Sequence, residues 1–128
     1  MTNDTTANTL SSPCVHADRC GGCSYQGVSY DEQLSIKQKL VEELLAKAGM
    51  DPKLAGSIEP SPVLYRYRNK MEYTFGNEYK DDPLTLGLHK QKSFMSVVHT
   101  GACQIVPEAF NTILKDTLSF CTEQGYGF

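Results

Sequence analysis

Tryptophan is absent from these 128 residues, and no apolar run approaches the roughly 20 residues that a membrane-spanning helix needs. A basic excess is missing as well: 12 Lys and Arg stand against 15 Asp and Glu, for a net charge of −3. No chain-wide positive field follows from that balance, so any nucleic-acid contact has to come from a local patch. There is no Gly-rich fingerprint opening a helix after a strand, no internal repeat and no low-complexity run. No Ser-His-Asp set or paired-carboxylate site emerges either, so no catalytic residue is expected in this chain. An apolar signal segment is lacking, and five cysteines, an odd number, make an incomplete disulfide framework. The expectation is a soluble cytoplasmic protein with no membrane association and no stable protein partner, of a size that suits one domain with a modest core.

What is present is a crowd of thiols. Cys14, Cys20 and Cys23 lie within ten residues at C-x5-C-x2-C spacing, and Cys103 follows far downstream in Gly-Ala-Cys. A thiolate is a soft anionic ligand, and a metal satisfies several of them better than solvent does. Gly21 and Gly22 allow a tight turn that aims backbone N–H groups at sulfur. Three clustered cysteines and one remote one suit an iron–sulfur cluster. Structural zinc is the second reading, although its usual paired CxxC knuckles are incomplete here. Disulfides or free thiols are the third. Spacing alone leaves all three open.

Residues 1–13 are polar and aperiodic and read as a flexible leader, ahead of a domain over 14–128. Ser29 and Glu32 form a capping box for a helix whose apolar stripe is Tyr30, Leu34, Val41, Leu44, Leu45 and Ala48, ended by Gly49 and Pro52. Ser57–Glu59 is a candidate short strand. From Tyr65 to Phe75, aromatic residues alternate with Arg66, Arg68, Lys70, Glu72 and Thr74, which predicts a long strand with one aromatic face and one basic face. Leu84–His89 and Phe94–His99 continue an antiparallel meander, with a turn at Lys90–Ser93. Pro107 then opens a second helix with Ala109, Phe110, Ile113, Leu114, Leu118 and Cys121 on its apolar side. The fold class expected is α+β: two helices packed on a small antiparallel sheet, with the cysteine loop tied to the Cys103 loop.

Cys121 lies on that apolar stripe and reads as a small buried hydrophobe. His16, His89 and His99 are scattered; His99, near Cys103, is a fringe ligand or, more simply, a turn histidine. Arg66, Arg68 and Lys70 are either a solvated strand face or a phosphate-neutralising set, for which the Arg fork is well shaped. Lys80, Lys90 and Lys92 extend such a patch, and Asp81 and Asp82 weaken it.

With those pieces placed, the sequence resembles the bacterial RNA uracil-C5 methyltransferases, in particular their iron–sulfur 23S rRNA branch (RumA/RlmD-like). The residues that carry the likeness are the Cys14–Cys23 loop with Cys-Gly-Gly-Cys, Tyr30-Asp-Glu-Gln-Leu34 with Lys37, the block Tyr65–Gly76, Leu86-Gly-Leu-His-Lys90, and Cys103. The resemblance implies that Cys14, Cys20, Cys23 and Cys103 hold a 4Fe–4S cluster in a part that grips rRNA. It also implies that S-adenosylmethionine and the catalytic groups belong to a separate C-terminal Rossmann-like domain. That domain and the N-terminal TRAM barrel are not recognised in this sequence, so the chain is expected to be an excised or truncated portion, inactive alone. The runner-up is a stand-alone zinc- or cluster-binding interaction module without methyltransferase activity, and a redox carrier comes third.

Overall fold

Ser29 takes an extended backbone (φ −60°, ψ 151°), and its hydroxyl accepts the Glu32 N–H at 3.3 Å, satisfying one of the donors that a helix start leaves free. Helix α1, Tyr30–Lys47, follows, with Asp31 and Glu32 in its positive first turn. It ends in a Schellman motif: Gly49 adopts φ 74°, its N–H reaches the Ala46 carbonyl, and the Met50 N–H reaches the Leu45 carbonyl, each at 3.0 Å. The computed structural model describes residues 13–128, so the expected leader lies, Pro13 apart, outside the described residues.

Helix α1 belongs to one of two compact units, Tyr25–Pro62. Within that unit it packs against a single 3₁₀ turn, Pro52–Ala55, which Asp51 caps by accepting the Lys53 N–H at 3.0 Å. The following segment is no strand. It is strapped along α1 by side chains: Gln38 donates to the Gly56 carbonyl at 2.7 Å and accepts the Ile58 N–H at 2.9 Å, and the Tyr30 hydroxyl accepts the Ser61 N–H at 2.6 Å. No residue of α1 is buried, and Val41 and Leu44, expected in the core, are exposed.

The second unit comprises the described residues up to Ser24 together with Val63–Phe128. Its sheet is an antiparallel meander in the order β1 (Thr74–Gly76), β2 (Thr85–His89), β3 (Val97–His99). Thr74 pairs with Gly87, and Gly87 pairs in turn with His99. Gly87 is dictated by that pairing, because a β-carbon there would collide with the Val98 carbonyl oxygen. Helix α2, Glu108–Glu123, starts behind Pro107 and packs on β2. Leu86, Val97, Val98, Val106 and Leu114 form the core. Ile113, expected on the apolar side of α2, faces solvent.

Two helices and a three-stranded antiparallel sheet make the α+β class, and within the second unit α2 packs on the sheet. The long strand expected over Tyr65–Phe75 shrinks to Thr74–Gly76. Arg66 adopts φ 57°, a left-handed conformation that breaks alternation, and the Arg66 and Arg68 N–H groups donate to the Gln104 and Ile105 carbonyls at 3.0 and 2.9 Å. This segment therefore runs beside the chain leaving Cys103, not along a strand. Strand β3 also starts later than alternation suggests, which leaves Phe94 and Met95 in the turn before it.

Candidate metal centre

The cysteine loop is built on its own turns and then on the sheet. Cys14 and His16 each close a turn through their carbonyls, accepting from Ala17 and from Arg19 and Cys20. Cys20 then bridges Lys90: the Gly21 N–H reaches the His89 carbonyl at 3.0 Å, and the Gln91 N–H reaches the Arg19 carbonyl at 2.8 Å. Gly21 suits this approach, because a β-carbon would lie 3.1 Å from the His89 oxygen. The Gln91 amide adds bonds to the Ala17 and Cys20 carbonyls at 3.3 and 3.2 Å. A charged clasp sits alongside: the Arg19 guanidinium engages both Glu78 carboxylate oxygens, and Lys90 reaches Glu78 at 3.4 Å and the Tyr79 hydroxyl at 3.2 Å.

The fourth thiol is set by a different device. Asn111, only 1% exposed on α2, accepts the Cys103 N–H at 3.1 Å and donates to the Cys103 carbonyl at 3.0 Å. Its amide also donates to Glu108 at 3.2 Å, so every bond of this buried side chain fixes either Cys103 or its own rotamer. His16 closes the gap between the two loops, its Nε2 accepting the Ala102 N–H at 3.2 Å. That bond requires a neutral ring, in keeping with burial, His99 and Arg19, which hold the His16 pKa below the ordinary imidazole range against the pull of Asp18.

The four thiols are free of disulfides and share one electrostatic neighbourhood. Burial pushes the Cys20 thiol up; Cys103 and Cys14 push the same way, and the Gly22 N–H, donated to its sulfur at 3.3 Å, opposes them. Burial likewise raises Cys23, with Cys103, Cys20 and Cys14 adding to it and Arg68 opposing. Among the described residues, no three His, Cys, Asp or Glu side chains converge as the ligands of one metal ion. Two hydroxyls nearby are buried without a partner: Thr100 Oγ1, on the turn whose carbonyl accepts the Cys103 N–H, and Tyr73 OH. Burial and then Cys103 raise the Tyr73 pKa, which places that hydroxyl within reach of the sulfur's charge.

Orphaned hydroxyl donors beside four gathered soft thiols are what a sulfur-rich cluster needs around it, so the residues present fit such a group. The sequence singled out the four cysteines by their spacing. It missed Asn111, His16 and Tyr73 as their supports; the one available signal was an Asn on the apolar side of a helix interior, where Asn is otherwise unfavourable. Cys121 is half-buried on α2, as a small hydrophobe would be. His99 is tied through Nδ1 to the Leu86 carbonyl at 3.0 Å.

Arg66, Arg68 and Lys70 are all exposed, as a phosphate-binding set requires, but they do not share one strand face. Lys70 pairs with Glu72 at 2.7 Å, and the Arg68 Nε donates to the Lys70 carbonyl at 3.2 Å. An ion pair this exposed adds little stability, yet it offsets the Lys70 charge. Arg68, by its bond to Ile105 and its pull on Cys23, lies between the basic segment and the thiols.

No protein-family model matches the chain. Curated relatives do. A protein of Caldanaerobacter subterraneus subsp. tengcongensis is 44% identical over 119 residues, covering 93% of this chain and 26% of that protein. One from Clostridium tetani is 39% identical over 115 residues, 90% of this chain and 25% of its own length. One from Clostridium acetobutylicum is 43% identical over 107 residues, 84% and 24% respectively. The chain spans about a quarter of the length of these relatives. Each carries the name uncharacterized RNA methyltransferase.

Proposed function

Because this chain belongs, over almost its whole length, with a quarter-length stretch of proteins named RNA methyltransferases, we propose that it is the metal- and RNA-holding part of such an enzyme. Cys14, Cys20, Cys23 and Cys103 hold a 4Fe–4S cluster, and Arg66 and Arg68, with Lys70 as a lesser partner, meet the phosphates of rRNA. The observation that carries the reading is the gathering of four free thiols from two remote segments, flanked by two buried hydroxyls without partners. Cys14, Cys20, Cys23 and Cys103 would hold the cluster through their sulfurs, a four-thiolate ligand set that such clusters take.

When bound, the cluster supplies a rigid four-point cross-link between the N-terminal loop and the Cys103 loop. The chain's own residues do the rest. Asn111 sets the Cys103 backbone, His16 holds Ala102 against the N-terminal loop, and Gln91 locks the loop to the β2–β3 turn. The Gly22 N–H donates to the Cys20 sulfur, and the buried Tyr73 and Thr100 hydroxyls, which have no partner of their own, would serve as further donors to a bound cluster. Methyl transfer from S-adenosylmethionine to carbon 5 of a 23S rRNA uridine is assigned to a part of the enzyme outside this chain, and the chain alone transfers no methyl group. Purification without oxygen, followed by iron, acid-labile sulfide and zinc analysis, tests the reading. Iron and sulfide lost together in Cys14→Ser, Cys20→Ser, Cys23→Ser and Cys103→Ser, but retained in Cys121→Ser, is the expected result; stoichiometric zinc without sulfide removes the cluster.

A further inference from the structure

Phe94 and Met95 stand 94% and 79% exposed at the turn between β2 and β3. In a strand, two consecutive residues face opposite sides, so one of them would be covered; here both point to solvent because the turn carries them. The turn is braced. Lys90 N–H donates to the Ser96 carbonyl at 2.9 Å, Ser93 N–H to the Lys90 carbonyl at 3.2 Å, and Ser96 N–H to the Ser93 hydroxyl at 3.1 Å. Gln91 fastens it to the cysteine loop through three more bonds, to Arg19, Ala17 and Cys20. An aromatic and a thioether side by side on a braced turn offer a partner an apolar contact.

The surrounding charge says which partner. From Pro83 to Pro107 there is no Asp or Glu, in a chain that has 15 of them; Lys90 is engaged by Glu78 and Tyr79, and Lys92 is the cation that flanks the tip. We propose that the Phe94–Met95 tip is a stacking wedge for RNA: it takes an unstacked base, or enters between two stacked ones, while Lys92 meets a neighbouring phosphate. Phe and Met are side chains that such wedges use, and single-stranded RNA is read by bases splayed onto aromatic faces. An enzyme that modifies a base has to take it out of the stack. The proposal rests on the RNA reading above and adds to it where the bases, as distinct from the phosphates, are met.

The test uses the full chain and a synthetic rRNA-derived stem-loop with one fluorescent adenine analogue in its loop. Wild-type protein should bind and brighten the analogue as it unstacks. Phe94→Ala with Met95→Ala should weaken binding about 10-fold, by the same factor at low and high salt because stacking releases no counterions, and should abolish the brightening. Phe94→Tyr should retain both signals, and circular dichroism should be unchanged, since neither side chain is covered. Wild-type affinity and brightening in the double variant would overturn the wedge and leave the tip to a protein partner, with the RNA reading intact. No binding by wild-type protein at any salt would remove the RNA reading itself, and the wedge with it.

Discussion

At the scale of single residues, the candidate centre depends on side chains that carry no thiol. Asn111→Ala strips the Cys103 carbonyl of its partner and leaves the Cys103 N–H only its bond to the Thr100 carbonyl, and a buried backbone group left unpaired costs about 1–3 kcal/mol. Such a loss lowers the melting temperature by several degrees or more in a unit of this size, measurable by thermal denaturation of the metal-free chain. Tyr73→Phe should change sign with loading. Without the cluster it deletes a buried hydroxyl that has no partner and should raise stability by up to about 1 kcal/mol. With the cluster it removes a donor to sulfur, and both the melting temperature and the reduction potential should fall. A shift in the same direction in both states would mean that Tyr73 does not face the cluster. The cysteines stood out in the sequence because three of them fall within ten residues. Asn111 and Tyr73 did not, because hydrogen bonding across the fold leaves no periodic mark.

Among the elements, the parts specified locally were read correctly. Ser29 caps α1, Gly49 ends it, and Pro107 precedes α2, since each acts on neighbours within a turn. Tyr65–Phe75 shows where that kind of reasoning stops. Alternation assigns faces but does not supply a pairing strand, and β2 offers partners only to Thr74, Phe75 and Gly76. Before them, Arg66 and Arg68 spend their N–H groups on the Gln104 and Ile105 carbonyls, with Arg66 in a left-handed conformation. In β2, Gly87 leaves the Val98 carbonyl its room, so Gly87→Ala meets backbone that cannot rotate away. We expect it to cost more than about 3 kcal/mol, enough to unfold the sheet in a urea titration, whereas Ser29→Ala should cost only about 1 kcal/mol.

For the whole molecule, a net charge of −3 means that the proposed RNA contact has to be made by patches working against the average field. Arg66→Ala with Arg68→Ala should reduce the salt slope of RNA binding by up to about 1.4, two contacts at roughly 0.7 each for a single strand. Lys70→Ala should change it less, because Glu72 already offsets that charge. Filter binding at several salt concentrations separates the two, and an unchanged slope in the double variant would move the phosphate contacts elsewhere. One further consequence lies in the order of synthesis. Cys14, Cys20 and Cys23 leave the ribosome well before the β2–β3 hairpin that fixes their loop, and before Cys103 and the Asn111 that sets it. At 5–20 residues per second the first thiols wait roughly 4–16 s for the fourth. Throughout that interval the nascent chain displays three uncovered sulfurs, so oxidants in the cell have their best access to this protein while it is still being made.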